Sequence, residues 1–153
     1  MERPAHKITV HNRQRTLRVP LPVLQKFADR ALRECLKIAR KNLTELDRNH
    51  DLHVILVSDR RIAEVHRRFL HLSGPTDVIT FHHGEIFISA ETARRQAGQF
   101  GTSMTKELCL YIVHGLLHLH RFDDTTRSPG ERMKRVQDEI VRVAKLPGMP
   151  GDS

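Results

Sequence analysis

The chain has 153 residues, which suits one ordinary domain with a hydrophobic core and is too short to divide convincingly into two. Lys and Arg number 26 against 18 Asp and Glu, so the formal charge is +8 and the sequence favours a polyanionic partner such as nucleic acid. No membrane span or membrane partner is expected, because the chain has no Trp and its longest uncharged run, Leu108 to His120, is too short to cross a bilayer.

The two cysteines and the N-terminus indicate a reducing compartment. Cys35 and Cys109 lie far apart, each among apolar residues of a predicted helix, and neither belongs to a C-x-x-C pair. We expect both to be small core side chains with no disulfide partner. The N-terminal MERPAHKITV lacks the apolar region of a secretory signal peptide, so we expect a cytoplasmic protein.

The first third of the chain predicts a hairpin and a long helix. Lys7 to Asn12 alternates polar and apolar residues as a strand does, and Arg15 to Val19 is expected to pair with it. Apolar residues then recur at helical spacing from Leu24 to Ala39. Basic residues from Lys26 to Lys41 occupy the opposite side, where the usual meaning of such a charge run is a solvated face.

The middle of the chain predicts three strands and one helix. Leu52 to Val57 is expected to be a short strand, followed by a helix from Arg60 to Leu70. Asp77 to Phe81 and Glu85 to Ile88 are two further strands, joined by an exposed turn at 82–84. Their apolar content predicts a place in the middle of a sheet. The helix is expected to turn three side chains inward: Ile62, Val65 and Phe69.

The second half predicts three helices. A short helix ends at Gly101, and the segment from Met104 to His120 has helical length and so little charge that it must be buried nearly all round. The last helix is expected to open with a capping box at Ser128-Pro129-Gly130-Glu131. Residues 1–146 are therefore predicted to form the domain, and residues 147–153 a flexible tail.

A metal site is predicted at the end of the apolar helix. His114 and His118 are four residues apart, so on a helix their imidazoles project from one face and can bind one ion. The apolar surroundings mean that both rings need partners or an ion to offset their desolvation. Asp124 follows past the helix end, where a turn can return its carboxylate over the pair. The pattern H-x3-H-x5-D thus predicts three ligands and one open position.

The number of ligands favours catalysis over structure. Structural zinc usually has four protein ligands, whereas catalytic zinc keeps one position for water, which suits hydrolysis of a phosphodiester. The residues alone leave three alternatives open. His114 and His118 can be ordinary core histidines, Asp123 can replace Asp124 as ligand, and Glu107 can orient a ligand imidazole instead of stabilising the helix start.

Two motifs carry a resemblance to a known family. Zincin proteases use H-E-x-x-H, but Gly115 stands where their catalytic Glu is found. The run from His114 to Asp124, HGLLHLHRFDD, instead resembles the H-G-x-L-H-L-x-G-Y-D-H signature of the YbeY endoribonucleases. PTDVITF at 75–81 and GEIFIS at 84–89 are similar to that family's P-T-D-V-L-S-F and G-D-I segments. Both motifs occur in the family's order and spacing, so the resemblance covers most of the chain.

The resemblance implies a single α+β domain with a small mixed sheet, about five helices and a zincin-like metal-binding helix. It implies a metal-dependent single-strand endoribonuclease that acts in rRNA maturation and ribosome quality control, with rRNA and ribosomal subunits as partners. One Zn²⁺ per chain is expected. Because Asp124 replaces the family's usual third His with an oxygen ligand, Fe(II), Mn and Ni also suit the site.

Two further departures from the family concern arginines. The motif Gly is Arg121, so a residue other than Gly must end the helix, and its cation is expected beside the metal. Family members often carry an Arg six residues before the motif Thr, where this chain has Leu70. Arg67 and Arg68, one turn earlier, are expected to contact phosphate in its place. Arg67, Arg68 and Arg121 are therefore the RNA-binding candidates.

The catalytic base and the activity itself leave alternatives. Asp77, at the start of a strand near the expected cleft, can activate water or cap the preceding turn. A ribosome-associated RNA-binding or assembly protein with a structural metal would have the same sequence features. So would a metallohydrolase of another substrate, because a fold does not dictate what is cut.

Overall fold

The computed structural model describes residues 5–70, 77–123, 126–147 and 149. Within these ranges the chain forms four strands and six helices. In chain order they are β1 (Lys7–Asn12), α1 (Leu21–Leu36), α2 (Glu45–Arg48), β2 (Asp51–Val57), α3 (Asp59–Leu70), β3 (Val78–Phe81), β4 (Glu85–Ser89), α4 (Ala90–Phe100), α5 (Met104–Leu119) and α6 (Arg127–Ala144). The predicted α+β class with a small mixed sheet is confirmed, and the short α2 makes six helices where about five were expected.

The four strands form one sheet in the order β1-β2-β4-β3. β1, β2 and β4 run parallel, and β3 runs antiparallel to β4. Val10 pairs with Val54, which pairs with Ile86, so the apolar residues of neighbouring strands line one face. Among the described strands β3 has one neighbour and is an edge. The expectation that β3 and β4 both lie in the middle of the sheet is therefore right for β4 alone.

The two faces of the sheet are covered by different helices. Leu108, Ile112 and Leu116 of α5 are fully buried in the main core, which confirms the prediction that this segment is buried nearly all round. On the opposite face, α3 packs in a smaller cluster with Val57 and Ile79. Cys35 and Cys109 are buried as predicted, and burial raises the pKa of each thiol to about 12.

The predicted N-terminal hairpin is wrong. Residues 15–19 form no strand, and β1 pairs with β2 instead. Gln14 folds the segment into a turn, because its side-chain amide donates to the Leu17 carbonyl at 2.7 Å and its oxygen accepts from the Leu17 N–H at 2.9 Å. These bonds occupy backbone groups that a hairpin would need. The parallel pairing with β2 buries Ile8 and Val10 in the main core.

Three details of the predicted helices also differ. α1 ends at Leu36, before Ala39. The predicted capping box is wrong, because Ser128 lies inside α6 and the N-cap is Thr126, which makes no side-chain cap hydrogen bond. Phe69 does not point inward. It is 57% exposed, because the last turn of α3 faces the end of the edge strand, where it meets Phe81.

Of the predicted tail, 147–153, the structure describes Pro147 and Met149. Met149 is buried in the main core, and the rest of the predicted flexible tail lies outside the described residues. None of the described helices is long and apolar enough to cross a membrane.

Candidate metal centre

α5 brings His114 and His118 to the wall of one cavity. Both side chains are half-buried, their Nε2 atoms are 3.0 Å apart, and their ring planes meet at 80°. Between them, Gly115 lies so close to β4 that a Cβ atom there would be 2.6 Å from Cγ2 of Ile86. This close helix–sheet contact sets the rotation of α5, which leaves both imidazoles facing the cavity.

α6 supplies a support for His114 that the sequence analysis missed. Gln137 Oε1 lies 2.9 Å from His114 Nδ1, so the Nδ1–H donates to the amide oxygen and Nε2 keeps its lone pair. Hydrogen bonds of this kind hold metal-binding imidazoles in one tautomer and orientation. Helical spacing could have identified Gln137 as an inward-facing residue, since it lies on the same side of α6 as the buried Met133 and Ile140.

The two imidazoles have the spacing expected of two ligands of one divalent ion. Zinc–nitrogen bonds of about 2.0–2.1 Å in a tetrahedron place neighbouring ligand nitrogens roughly 3.3 Å apart. The two Nε2 atoms, at 3.0 Å, are close to that separation. Asp124, the third predicted ligand, lies outside the described residues. Within the described ranges, no group of three or more His, Cys, Asp or Glu side chains is placed to hold an ion, and Asp123 is exposed.

Glu107 belongs to the start of α5. It is buried there, and its carboxylate accepts a hydrogen bond from the Thr102 hydroxyl at 2.8 Å. The neighbouring Ser103 caps the helix, because its side chain accepts from the Lys106 N–H. Of the two roles left open for Glu107, these contacts favour the helix start.

The histidine pair opens into a cleft of about 340 Å³ along the edge strand β3. An edge strand offers backbone N–H and C=O groups to whatever lies beside it. The exposed Asp77 is in this cleft, so the chain brings Asp77 together with His114 and His118. Its lining residues are His66, Asp77, Val78, Ile79, Thr80, His82, His114, His118 and Leu119.

His66 is a cleft residue that the sequence analysis missed. Its Nδ1 atom is buried and has no hydrogen-bond partner among the described residues. Leaving such an atom unpaired costs about 1–3 kcal/mol, so a polar atom of this kind in a cleft is suited to contact a ligand. Helical spacing could have identified His66 from the sequence, because it follows the inward-facing Ile62 by one helical turn.

Tyr111 is a buried residue of α5, one helical turn before His114. Burial, together with the negative charges of Asp77 and Glu107, raises the pKa of its hydroxyl. Tyr111 is therefore a proton-bearing hydroxyl and not a base at neutral pH.

None of the three predicted RNA-binding arginines lines the cleft. Arg67 and Arg68 are exposed on α3 and line a neighbouring cavity with Phe69. Arg121 ends α5 with a φ of 65°, so it adopts the left-handed conformation that the motif Gly usually provides. Its guanidinium donates to Glu45 Oε1 at 3.0 Å, which pairs the cation with a carboxylate of α2.

His120 anchors the end of the histidine-bearing helix. It is buried, with Nε2 2.7 Å from the Ile38 carbonyl and Nδ1 2.8 Å from the Thr44 hydroxyl. Nε2–H donates to the carbonyl, and the hydroxyl donates to Nδ1. The chain that follows His118 is therefore tied to the segment before α2.

Comparison with known proteins gives a consistent result. The family model described as Endoribonuclease YbeY matches residues 9–145. Endoribonuclease YbeY of Geobacter metallireducens is 31% identical over 94% of this chain and 99% of its own length, and that of Bacteroides thetaiotaomicron is 40% identical over 54% and 64%. The solution structure of TM1509 from Thermotoga maritima shares the fold, with a TM-score of 0.59 at 24% identity over 93% of this chain and 99% of that one. The family match over nearly the whole described chain means that the protein belongs to the YbeY endoribonuclease family.

Proposed function

We propose that this protein is a metal-dependent endoribonuclease that cleaves single-stranded RNA, acting on rRNA in ribosome maturation and quality control. The observation that carries the proposal is the pair of converging imidazoles, His114 and His118, at the wall of a cleft in a member of this family. The formal charge of +8 supports an anionic substrate. With rRNA as substrate, we infer ribosomal subunits as partners and the cytoplasm as the place of action.

We infer that one Zn²⁺ is held by His114, His118 and Asp124, and that Fe(II), Mn or Ni can replace it because Asp124 offers oxygen. When bound, such an ion supplies Lewis-acid chemistry, since it lowers the pKa of water and neutralises charge developing on a phosphoryl oxygen. The Gln137 hydrogen bond supports this assignment because it holds His114 in the tautomer whose lone pair is on Nε2, the atom that faces His118.

The residues of the cleft supply the remaining functions. Position 115 cannot carry the base used by zincin proteases, because any side chain there meets Ile86. Asp77 is the carboxylate in the cleft lining, and we assign to it the acceptance of a proton from the attacking water. His66, whose buried Nδ1 lacks a protein partner among the described residues, is placed to hydrogen-bond to the substrate.

Metal analysis and RNA cleavage test the proposal together. The purified protein should contain about one equivalent of zinc or a similar ion, and His114→Ala should lose both this ion and the cleavage of a single-stranded rRNA fragment. His50→Ala is the matched control, because His50 is exposed and does not line the cleft. Undiminished cleavage by His114→Ala would mean that the mechanism is wrong and that a contaminating nuclease cuts the RNA.

Two other outcomes would favour the alternative functions. A metal-loaded protein that binds RNA and leaves it intact would be an assembly factor with a structural metal. Hydrolysis of peptides or small esters, with RNA untouched, would indicate a metallohydrolase of another substrate class.

A further inference from the structure

Phe69, at the end of α3, presents an aromatic ring to solvent beside the cleft. Its side chain is 57% exposed, whereas Ile62 and Val65 of the same stripe are buried. A single exposed apolar residue is ordinary on a protein surface, so the groups around this ring decide what it can bind.

Other rings support Phe69 from the protein side. Its centroid is 5.9 Å from that of Phe81, edge to face at 84°, and Phe81 meets Phe87 in the same geometry at 5.8 Å. His83 stacks on Phe81 with an angle of 18° between the ring planes. We call these four rings the aromatic platform. Because neighbouring rings support Phe69, little conformational entropy is lost when a flat ligand stacks on it.

Arginines surround the exposed ring. The guanidinium of Arg68 is 5.6 Å from the Phe69 centroid, and Arg61, Arg67 and Arg68 line a cavity of about 520 Å³ with Phe69. Glu64 in the same lining accepts a hydrogen bond from Arg61 at 3.0 Å, so positive charge remains in excess. An aromatic face beside cations matches a nucleobase with its phosphate, the two parts of a single-stranded nucleic acid.

The surface around Phe69 is continuous with the cleft along α3 and along the β3–β4 turn. On α3, His66 lines the cleft and Phe69 follows one turn later. In the β3–β4 turn, His82 lines the cleft, while Phe81 and His83 on either side of it belong to the aromatic platform. A strand whose phosphate entered the cleft would bring a neighbouring base to Phe69.

We propose that Phe69 and Arg68 form a subsite for one unpaired nucleobase of the RNA strand, with the base stacked on Phe69 and an adjoining phosphate paired with Arg68. This inference rests on the proposed function, because the strand is the substrate of the cleft. Stacking accepts any base but requires that it be unpaired, so the subsite selects single-stranded RNA over duplex.

Binding of a short single-stranded 2′-O-methyl RNA with one 2-aminopurine tests the subsite, using metal-loaded protein and RNA that is recovered uncut. Phe69→Leu should weaken binding about 10-fold and abolish the quenching of 2-aminopurine fluorescence that stacking causes. Phe69→Tyr should keep affinity within about 2-fold, because the ring remains. Phe100→Leu is the matched control, since Phe100 is 68% exposed on α4. This variant should bind RNA as the unaltered protein does.

Salt dependence separates the roles of the two residues. Arg68→Gln should reduce the slope of log affinity against log salt concentration by about 1, whereas Phe69→Leu should leave the slope unchanged. Equal losses in Phe69→Leu and Phe100→Leu, or undiminished binding and quenching in Phe69→Leu, would overturn the subsite. So would a dimer that Phe69→Leu converts to monomer, because a second copy would then cover the ring.

The binding assay also keeps this inference apart from the proposed activity. If this RNA binds with the expected Phe69 dependence but an unmodified RNA of the same sequence is never cut, the subsite stands and the nuclease falls. If cleavage requires His114 but Phe69→Leu binds the RNA as tightly as the unaltered protein does, the nuclease stands and the subsite falls.

Discussion

At the scale of single residues, Gly115 links the packing of the helix to the chemistry of the cleft. A Cβ at this position would be 2.6 Å from Ile86 Cγ2, so the catalytic Glu of zincin proteases has no room there. We expect Gly115→Ala to lower the free energy of unfolding by about 1–3 kcal/mol, because it overpacks the contact between α5 and β4. Urea unfolding measures this difference.

Gly98→Ala is the matched control for that prediction. Gly98 is in α4, and a Cβ there meets nothing within 4 Å. The substitution should raise stability by about 0.5–1 kcal/mol, because Ala favours the helix over Gly. If both variants were stabilised, the close approach at Gly115 would not constrain α5.

The same scale shows what local sequence could predict of the site. Spacing alone placed His114 and His118 on one helical face, because both belong to one element and i, i+4 neighbours meet in any α-helix. Gln137 of α6 contacts His114, and His66 of α3 lines the cleft, so both positions depend on how helices pack. Phe69 fits an inward stripe by spacing, but it is exposed because α3 ends beside an edge strand.

At the scale of elements, Asp59 joins α3 to α4. Its carboxylate accepts from the Ser89 hydroxyl at 2.5 Å, from the Thr92 hydroxyl at 2.7 Å, and from Arg95. Burial alone would raise its pKa. The hydrogen bonds from Arg95, Ser89 and Thr92 outweigh this effect and hold the pKa at about 2, below the usual 3.8 of an Asp side chain.

The lowered pKa of Asp59 predicts a pH dependence of stability. Since the folded state prefers the ionised carboxylate, its stabilisation is complete above pH 3.8 and is lost as pH falls towards 2. Asp59→Asn should therefore be less stable than the unaltered protein at pH 7, with a difference that shrinks between pH 4 and 2. Urea unfolding across this range measures it. Asp138→Asn, on the exposed surface of α6, serves as control, and a constant Asp59→Asn difference would contradict the assignment.

The elements also differ in how far sequence could predict them. The burial of α5 follows from its own lack of charge, and the end of α4 follows from Gly101 at a φ of 67°. The partner of β1 depends on contacts distant in sequence. The hairpin prediction failed because Gln14 folds the nearby chain into a turn, whereas β2 pairs with β1 along the whole length of β1 and aligns apolar residues of the two strands.

At the scale of the whole molecule, metal binding should stabilise the entire fold. His114 and His118 are in the central helix α5, and Gln137 ties the pair to α6, so the site exists only when these helices are packed. Zinc at about 100 times its Kd should stabilise the folded state by about 2.7 kcal/mol. For a domain of this size, each kcal/mol shifts Tm by about 2–4 °C, so we expect a rise of about 5–10 °C.

Differential scanning calorimetry with and without a chelator measures this shift. His114→Ala should show none, because one of the two proposed histidine ligands is gone. Gln137→Leu should show a smaller shift at the same zinc concentration, because loss of the hydrogen bond to a ligand imidazole typically weakens metal affinity about 10–100-fold. His50→Ala should keep the full shift. An equal shift in all four proteins would mean that zinc stabilises the fold from somewhere other than the histidine pair of α5.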